Sequence, residues 1–284
     1  MSVEMSAKSN PAFKYDTFVT RNTGYVENDT QAKIRSCRLL IAGCGLGAST
    51  AIAAVRMGFQ HFVLIDGDTV DAHNLNRQFY DFEDVGAAKV QALKKHILRI
   101  NPEAQVEAVQ ANLDQSNAVE LVGKVDIIFD TIDFLDLAAI LALHTSAQEQ
   151  GKPVFTALSI GFGAGVLYFP ADSQASLAQI IHNDIASAQG EVDSSYAAVF
   201  GKIMGRIGAH LDRQVVEQVA KALTIMEDGR PCPASQISVG SFTVAAMAVS
   251  MMHDMLAGMD VPASPNMVVH SFRNHVTKLI DISK

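Results

Sequence analysis

The stretch RLLIAGCGLG at residues 38–47, followed by HFVLIDGD at residues 61–68, decides the fold predicted for this chain. A short apolar run leads into a glycine-rich turn, small helix-forming residues follow, and a second apolar run ends on Asp66. Three glycines form the turn: Gly43, Gly45 and Gly47. This succession predicts the strand, turn, helix and strand of a mononucleotide-binding βαβ unit. Glycines let the backbone approach a phosphate at the helix N-terminus, and a carboxylate in the position of Asp66 suits ribose hydroxyls.

Composition narrows the class of protein. The chain has 284 residues, of which 49% are hydrophobic, and these are enough for a large α/β core. The net charge of −8 comes without a basic run, so we do not expect nucleic acid as the main partner. No apolar stretch reaches the length of a membrane span, so we do not expect a membrane protein. Three cysteines, Cys37, Cys44 and Cys232, have spacings that give neither a disulfide framework nor a zinc site. A cytoplasmic location is the default expectation.

The remaining sequence predicts one α/β domain. Apolar runs alternate with helical patterns, which indicates a Rossmann-like, doubly wound, mainly parallel sheet with helices on both faces. We predict a flexible arm at residues 1–19 and a nucleotide-binding domain at 20–284, with a helical insertion at 173–230. A buried helix at 236–258 and antiparallel strands near the C-terminus complete the prediction.

A polar loop after Asp66 carries the candidate chemistry. It brings Asn74, Arg77 and Gln78, and Lys89 opens the next helix. Fixed arginine and lysine charges suit a nucleotidyl-transfer site, where negative charge grows on departing pyrophosphate. Asp133, near the end of another predicted strand, is a candidate ligand for Mg²⁺, which binds through few carboxylates plus phosphate oxygens.

Six motifs carry a family resemblance. They are TRN (20–22), RLLIAGCGLG (38–47), LIDGDTVDAHNLNRQF (64–79), GAAKV (86–90), INPEAQVEA (100–108) and DTID (130–133). Together they resemble the ThiF/MoeB/HesA superfamily, the relatives of ubiquitin-activating enzymes. The resemblance implies a homodimeric Rossmann-like fold and ATP-dependent adenylation of a carboxylate, usually the C-terminus of a ubiquitin-like protein or a peptide.

The resemblance also assigns roles to individual residues. Asp66 would hold the ribose of ATP, with Asp68 in the same nucleotide-binding set. Asn74, Arg77 and Lys89 would contact phosphates, with Gln78 beside them. Asp133 would hold Mg²⁺, and Arg21 would reach the ATP of the partner subunit. Arg21, Arg77, Lys89 and Asp133 are therefore the predicted catalytic set.

The sequence departs from the family pattern at several positions. The turn has fewer glycines than the usual Gly-x-Gly-Gly-x-Gly, and Phe134 stands where the family often has Asn. The two CxxC pairs that hold structural zinc in many members are absent from the sequence, so no zinc is expected. Cys232 lies where thioester-forming relatives carry a reactive cysteine, although its flanking prolines also suit an ordinary loop.

Two alternative functions share the same fold. A nucleotide-binding scaffold without turnover would account for the altered turn and for Phe134. An NAD(P)-dependent oxidoreductase would use the βαβ unit but would leave Arg77 and Lys89 unexplained.

Overall fold

The computed structural model describes residues 12–133, 136–173, 201, 204–227 and 235–283. Phe134, Cys232 and most of the insertion predicted at 173–230 therefore lie outside the described residues.

One sheet of eight strands forms the centre of the molecule. The strands are β1 (Arg38–Ala42), β2 (His61–Ile65), β3 (Gln105–Val109), β4 (Ile127–Asp130), β5 (Val154–Ser159), β6 (Gly163–Phe169), β7 (Asn266–Ser271) and β8 (Val276–Asp281). Their spatial order is β3-β2-β1-β4-β5-β6-β7-β8. The first five pair in parallel, whereas β6, β7 and β8 pair antiparallel. The predicted mainly parallel sheet with antiparallel strands in the C-terminal half is confirmed.

Helices cover both faces of the sheet. They are α1 (Tyr15–Phe18), α2 (Asn28–Ser36), α3 (Gly47–Met57), α4 (Lys89–Ile100), α5 (Ala118–Gly123), α6 (Leu137–Glu149), α7 (Arg213–Glu227) and α8 (Ser238–Ala257). Alternate residues of β1 enter different cores: Leu39 and Ile41 pack in one cluster, Leu40 and Ala42 in the other. A parallel strand covered on both sides needs apolar residues at every position, which explains the continuous apolar run.

The chain order places a crevice between β1 and β4. From β1 the sheet grows outward through β2 and β3, whereas β4 and β5 lie on the opposite side of β1. The connections at the carboxyl ends of β1 and β4 therefore diverge, and this is where α/β sheets of this kind bind ligands. Gly43 follows β1 and Thr131 follows β4, so the glycine turn and the DTID motif meet at this edge.

Helix α8 is long and apolar enough to cross a membrane, but it belongs to the core of this fold. It packs against α3 and β6, and Val244, Ala248 and Met252 are fully buried. Phe242, by contrast, is 60% exposed on the same helix.

The N-terminal segment differs from the flexible arm predicted for residues 1–19. Helix α1 lies within that range, and Tyr15 is buried. The Tyr15 hydroxyl donates to the carbonyl of Gly58 at 2.8 Å and accepts from the Gln31 side chain at 2.9 Å. A buried aromatic ring with a satisfied hydroxyl fixes this part of the segment to the domain. Residues 1–11 lie outside the described residues.

Candidate nucleotide-binding and catalytic site

The glycine turn is packed tightly between β1 and the end of β4. Gly43 has a positive φ of 87°, and a Cβ atom there would lie 2.6 Å from the carbonyl oxygen of Thr131. A Cβ atom on Gly47 would lie 2.6 Å from Cγ2 of Ile41. Both positions therefore exclude a side chain. Gly43 does so through its positive φ and its contact with Thr131, and Gly47 through its contact with Ile41 alone. The glycines keep the turn against the sheet and leave its outer side facing a cavity.

A cavity of about 600 Å³ opens at this edge of the sheet. Its lining includes most of the predicted site: Gly43, Gly45, Asp66, Asp68, Asn74, Arg77, Gln78, Lys89 and Asp133. Gly47 begins α3 behind the turn, and Arg21 lies in a short 3₁₀ helix outside the lining. The structure thus brings together residues separated by up to ninety positions of sequence, from Gly43 to Asp133.

Asp66 faces the glycine turn directly. Its Oδ2 accepts a hydrogen bond from the backbone N–H of Cys44 at 2.6 Å, and its Oδ1 accepts from the N–H of Asp68 at 2.8 Å. The two donors fix the carboxylate at the tip of β2 beside the turn. This is the position expected of a ribose-binding acid.

Lys89 is buried at the start of α4 and paired with an acid. Its Nζ lies 2.7 Å from Oδ2 of Asp68, and its side chain is 8% exposed against 70% for Asp68. Lys89 therefore lines the cavity with a side chain that is mostly shielded from water, whereas its partner Asp68 is exposed to solvent.

Arg77 has neutral partners. Its Nε donates to Oε1 of Gln236 at 2.6 Å, and its Nη1 donates to the carbonyl of His73 at 2.9 Å and to Oδ1 of Asn76 at 3.0 Å. Partial burial lowers the pKa of the guanidinium, although arginine stays charged at neutral pH. Within the described residues, no carboxylate forms an ion pair with Arg77.

Two further polar side chains shape the loop. Asn74 is buried, and its Oδ1 accepts from the N–H of Asp71, which closes a capping box at the 3₁₀ helix Ala72–Asn74. Gln78 lies against Gly45, and its Oε1 is buried without a hydrogen-bond partner among the described residues.

The two aspartates of the DTID motif have different surroundings. Asp130 is buried, where its Oδ2 contacts Nε2 of His144 and accepts from Oγ1 of Thr156, both at 3.0 Å. It therefore fixes the end of β4 inside the fold. Asp133 is exposed and lines the cavity.

The described cysteines are unsuited to nucleophilic chemistry. Burial raises the pKa of Cys44 well above its usual value, and it raises the pKa of Cys37 to about 12. Cys44 instead has a structural role in the glycine turn, because its carbonyl accepts a hydrogen bond from the hydroxyl of Tyr80 at 2.6 Å. Cys232 lies outside the described residues.

Sequence reasoning did not identify Gln236 as a candidate site residue. It precedes α8 and lines the cavity, where it contacts Arg77 across 159 positions of sequence. No local pattern signals such a contact. Residues of α7, including Val215 and Val219, form another wall of the cavity.

A family model described as "ThiF family" matches residues 19–281, which is nearly the whole chain. The chain belongs to the ThiF family. This confirms the resemblance drawn from the six motifs.

Two curated relatives show how far the likeness extends. The chain is 26% identical over 182 residues to the sulfur carrier protein ThiS adenylyltransferase of Escherichia coli (strain K12), covering 63% of this chain and 71% of that protein. It is 35% identical over 127 residues to the probable adenylyltransferase/sulfurtransferase MoeZ of Mycobacterium tuberculosis (strain CDC 1551 / Oshkosh). That match covers 44% of this chain and 32% of MoeZ, so the chain spans about a third of the MoeZ length.

Among solved structures, the crystal structure of selenomethionine PaaA has the same fold. It superposes with a TM-score of 0.69 at 20% identity, covering 97% of this chain and 85% of that one. At this identity the likeness supports the fold alone.

Proposed function

We propose that this member of the ThiF family is an ATP-dependent adenylyltransferase that activates a carboxylate as an acyl-adenylate. The observation that carries the proposal is that Asp66, Arg77 and Lys89 line the same cavity as the glycine turn. One carboxylate placed for a ribose and two cations placed for phosphates match a bound nucleoside triphosphate.

The proposed reaction needs little acid–base chemistry. An oxygen of the substrate carboxylate attacks the α-phosphorus of ATP and forms the new P–O bond. The bond from that phosphorus to the oxygen bridging the α- and β-phosphates breaks, and its electron pair leaves with pyrophosphate. Arg77 and Lys89 stabilise the charge that grows on this leaving group, and Asp66 holds the ribose in place. Because an ionised carboxylate is already nucleophilic, no general base is required.

Mg²⁺ fits the donors at this site. Asp133 offers an exposed carboxylate at the cavity, and Mg²⁺ is bound by one or two carboxylates together with phosphate oxygens. Such an ion would neutralise part of the phosphate charge. No zinc enters this proposal.

The proposed partners follow from the family. The ThiS adenylyltransferase is named for a sulfur carrier protein, and we propose a ubiquitin-like protein or peptide C-terminus, or a small acid, as the carboxylate substrate. We further propose a homodimer in which Arg21 serves the partner's site, and a location in the cytoplasm, where ATP is available.

Nucleotide preference tests the proposal. ATP with Mg²⁺ should raise the melting temperature by mass action, and NAD⁺ or NADP⁺ at equal concentration should raise it much less. A larger shift with NADH than with ATP would favour the oxidoreductase alternative. ATP–pyrophosphate exchange with a carboxylate substrate then tests turnover, and ATP binding without exchange for any carboxylate would favour the scaffold alternative.

A further inference from the structure

Arg77 has neutral partners, whereas Lys89 has an anionic one. Lys89 forms an ion pair with Asp68 at 2.7 Å. Arg77 is instead oriented by three neutral oxygens, from Gln236, His73 and Asn76. A neutral amide oxygen fixes the direction of an N–H group without cancelling the charge behind it. The charge of Arg77 therefore stays available to an anion.

Gln236 makes the shortest of the three contacts with Arg77, and it comes from a distant part of the chain. Its own carbonyl accepts from Nδ2 of Asn76 at 3.1 Å, so both its main chain and its side chain dock on the loop that carries Arg77. Six residues further on, Phe242 of α8 packs edge-on against Phe79 of the same loop, with ring centroids 4.8 Å apart. These contacts hold the Gln236 amide in a fixed place.

We propose that Gln236 is a positioning residue that sets the orientation of Arg77 and preserves its positive charge for the phosphates of the nucleotide. This inference rests on the proposed function. Guanidinium recognition of phosphate depends on the direction of its planar N–H fork, so a partner that fixes Nε also fixes the remaining donors. A carboxylate in place of the amide would hold the same geometry but would pair with the guanidinium and compete with phosphate.

The substitution Gln236→Glu tests this directly, because it changes charge at nearly constant shape. We expect the dissociation constant for ATP, measured by calorimetry at neutral pH, to rise about tenfold or more. The melting temperature of the protein without nucleotide should not fall, because an ion pair replaces a hydrogen bond. A general structural defect would instead lower both the affinity for ATP and the melting temperature. The matched control is Gln214→Glu, which adds the same charge at an exposed residue of the same cavity without contacting Arg77, and it should weaken ATP binding much less.

A double-mutant cycle separates an effect through Arg77 from a direct one. In the Arg77→Ala background, Gln236→Glu should change ATP affinity by less than about twofold. Wild-type affinity in Gln236→Glu, or an equal loss with and without Arg77, would overturn the positioning role while leaving the adenylation proposal intact. A wild-type protein that binds no ATP would overturn both.

Discussion

At the scale of single residues, the site is defined by how each charge is compensated. Lys89 is paired with the carboxylate of Asp68, which a bound phosphate would have to displace or share, whereas Arg77 has neutral partners. Desolvation strengthens the field of both cations because the cavity wall is partly shielded from water. Under the proposed function, the two cations would therefore meet the phosphates differently: Lys89 would exchange or share a carboxylate partner, and Arg77 would not.

Removing either cation tests their place in the chemical step. Arg77→Ala and Lys89→Ala should each lower ATP–pyrophosphate exchange by about a hundredfold or more, since each loses a fixed donor to the leaving group. Asp133→Ala should also lower exchange, through the loss of a metal ligand. Exchange of radiolabelled pyrophosphate into ATP measures the effect.

Two variants serve as controls for this experiment. Arg99→Ala removes an exposed cation from the last turn of α4, the helix that Lys89 opens, and it should leave exchange unchanged. Cys232→Ser should also retain exchange, because a thiol would act only after the adenylate has formed. If Cys232→Ser stops exchange while Lys89→Ala spares it, the assigned roles are wrong.

Cysteine labelling tests a second property of single residues. Burial favours the neutral thiol, which raises the pKa of Cys37 to about 12 and that of Cys44 well above its usual value. At pH 8, below both values, neither residue should be alkylated by iodoacetamide in the native protein. Peptide mass spectrometry should find both labelled only after unfolding. Label on Cys37 or Cys44 of the native protein would contradict their burial.

At the scale of elements, the glycine turn brings the ends of β1 and β4 together at the edge of the cavity. Gly43 needs its positive φ and also lies against the backbone of Thr131. Tyr80 supports the turn from the polar loop through the carbonyl of Cys44. The geometry of the cavity wall therefore depends on a contact between β1 and β4 that tolerates no side chain at position 43.

Alanine at two glycines separates backbone strain from steric contact. Gly86 has nearly the same φ as Gly43, 89° against 87°, but a Cβ atom at Gly86 would have nothing within 4 Å. Gly86→Ala should destabilise the protein by about 1–2 kcal/mol through φ alone. Gly43→Ala should cost about 2–5 kcal/mol, because overpacking adds to the strain. Urea unfolding measures both, and equal costs would contradict the role of Thr131.

The sequence predicted the strands, helices and turn of the site correctly where the pattern that specifies them is local. The apolar run of β1, the glycines and Asp66 all lie within one short stretch, and the βαβ unit is confirmed there. Helix α4 begins at Lys89, as predicted, because Gly86 has a positive φ and Ala88 has a ψ of 130°, which is not helical. Contacts such as Arg77 with Gln236 or Tyr15 with Gly58 join distant segments. Such pairs follow from tertiary packing, which periodicity does not encode.

At the scale of the whole molecule, Arg21 is the predicted catalytic residue that the structure leaves apart from the cavity. It is exposed in the 3₁₀ helix Thr20–Asn22, and the nearby Tyr25 is 90% exposed. Aromatic residues and arginine are enriched where a protein surface meets a partner. A two-fold pair would allow each subunit to place Arg21 at the other's nucleotide.

Mixing two inactive variants tests this arrangement. Light scattering should first give about twice the chain mass of 30.5 kDa for the wild type. Arg21→Ala and Lys89→Ala should each lower exchange when alone. After subunit exchange in an equimolar mixture, half of the dimers pair one variant with the other. One of the two sites in each mixed dimer then holds both an intact Lys89 and an intact Arg21 from the partner. Activity should return to about a quarter of the wild-type value if Arg21 acts across the interface.

If Arg21 acts within its own subunit, each site of a mixed dimer keeps one defect and no activity returns. A monomeric wild type would also exclude the role proposed for Arg21, while the roles of Arg77 and Lys89, which lie in one subunit, would be untouched.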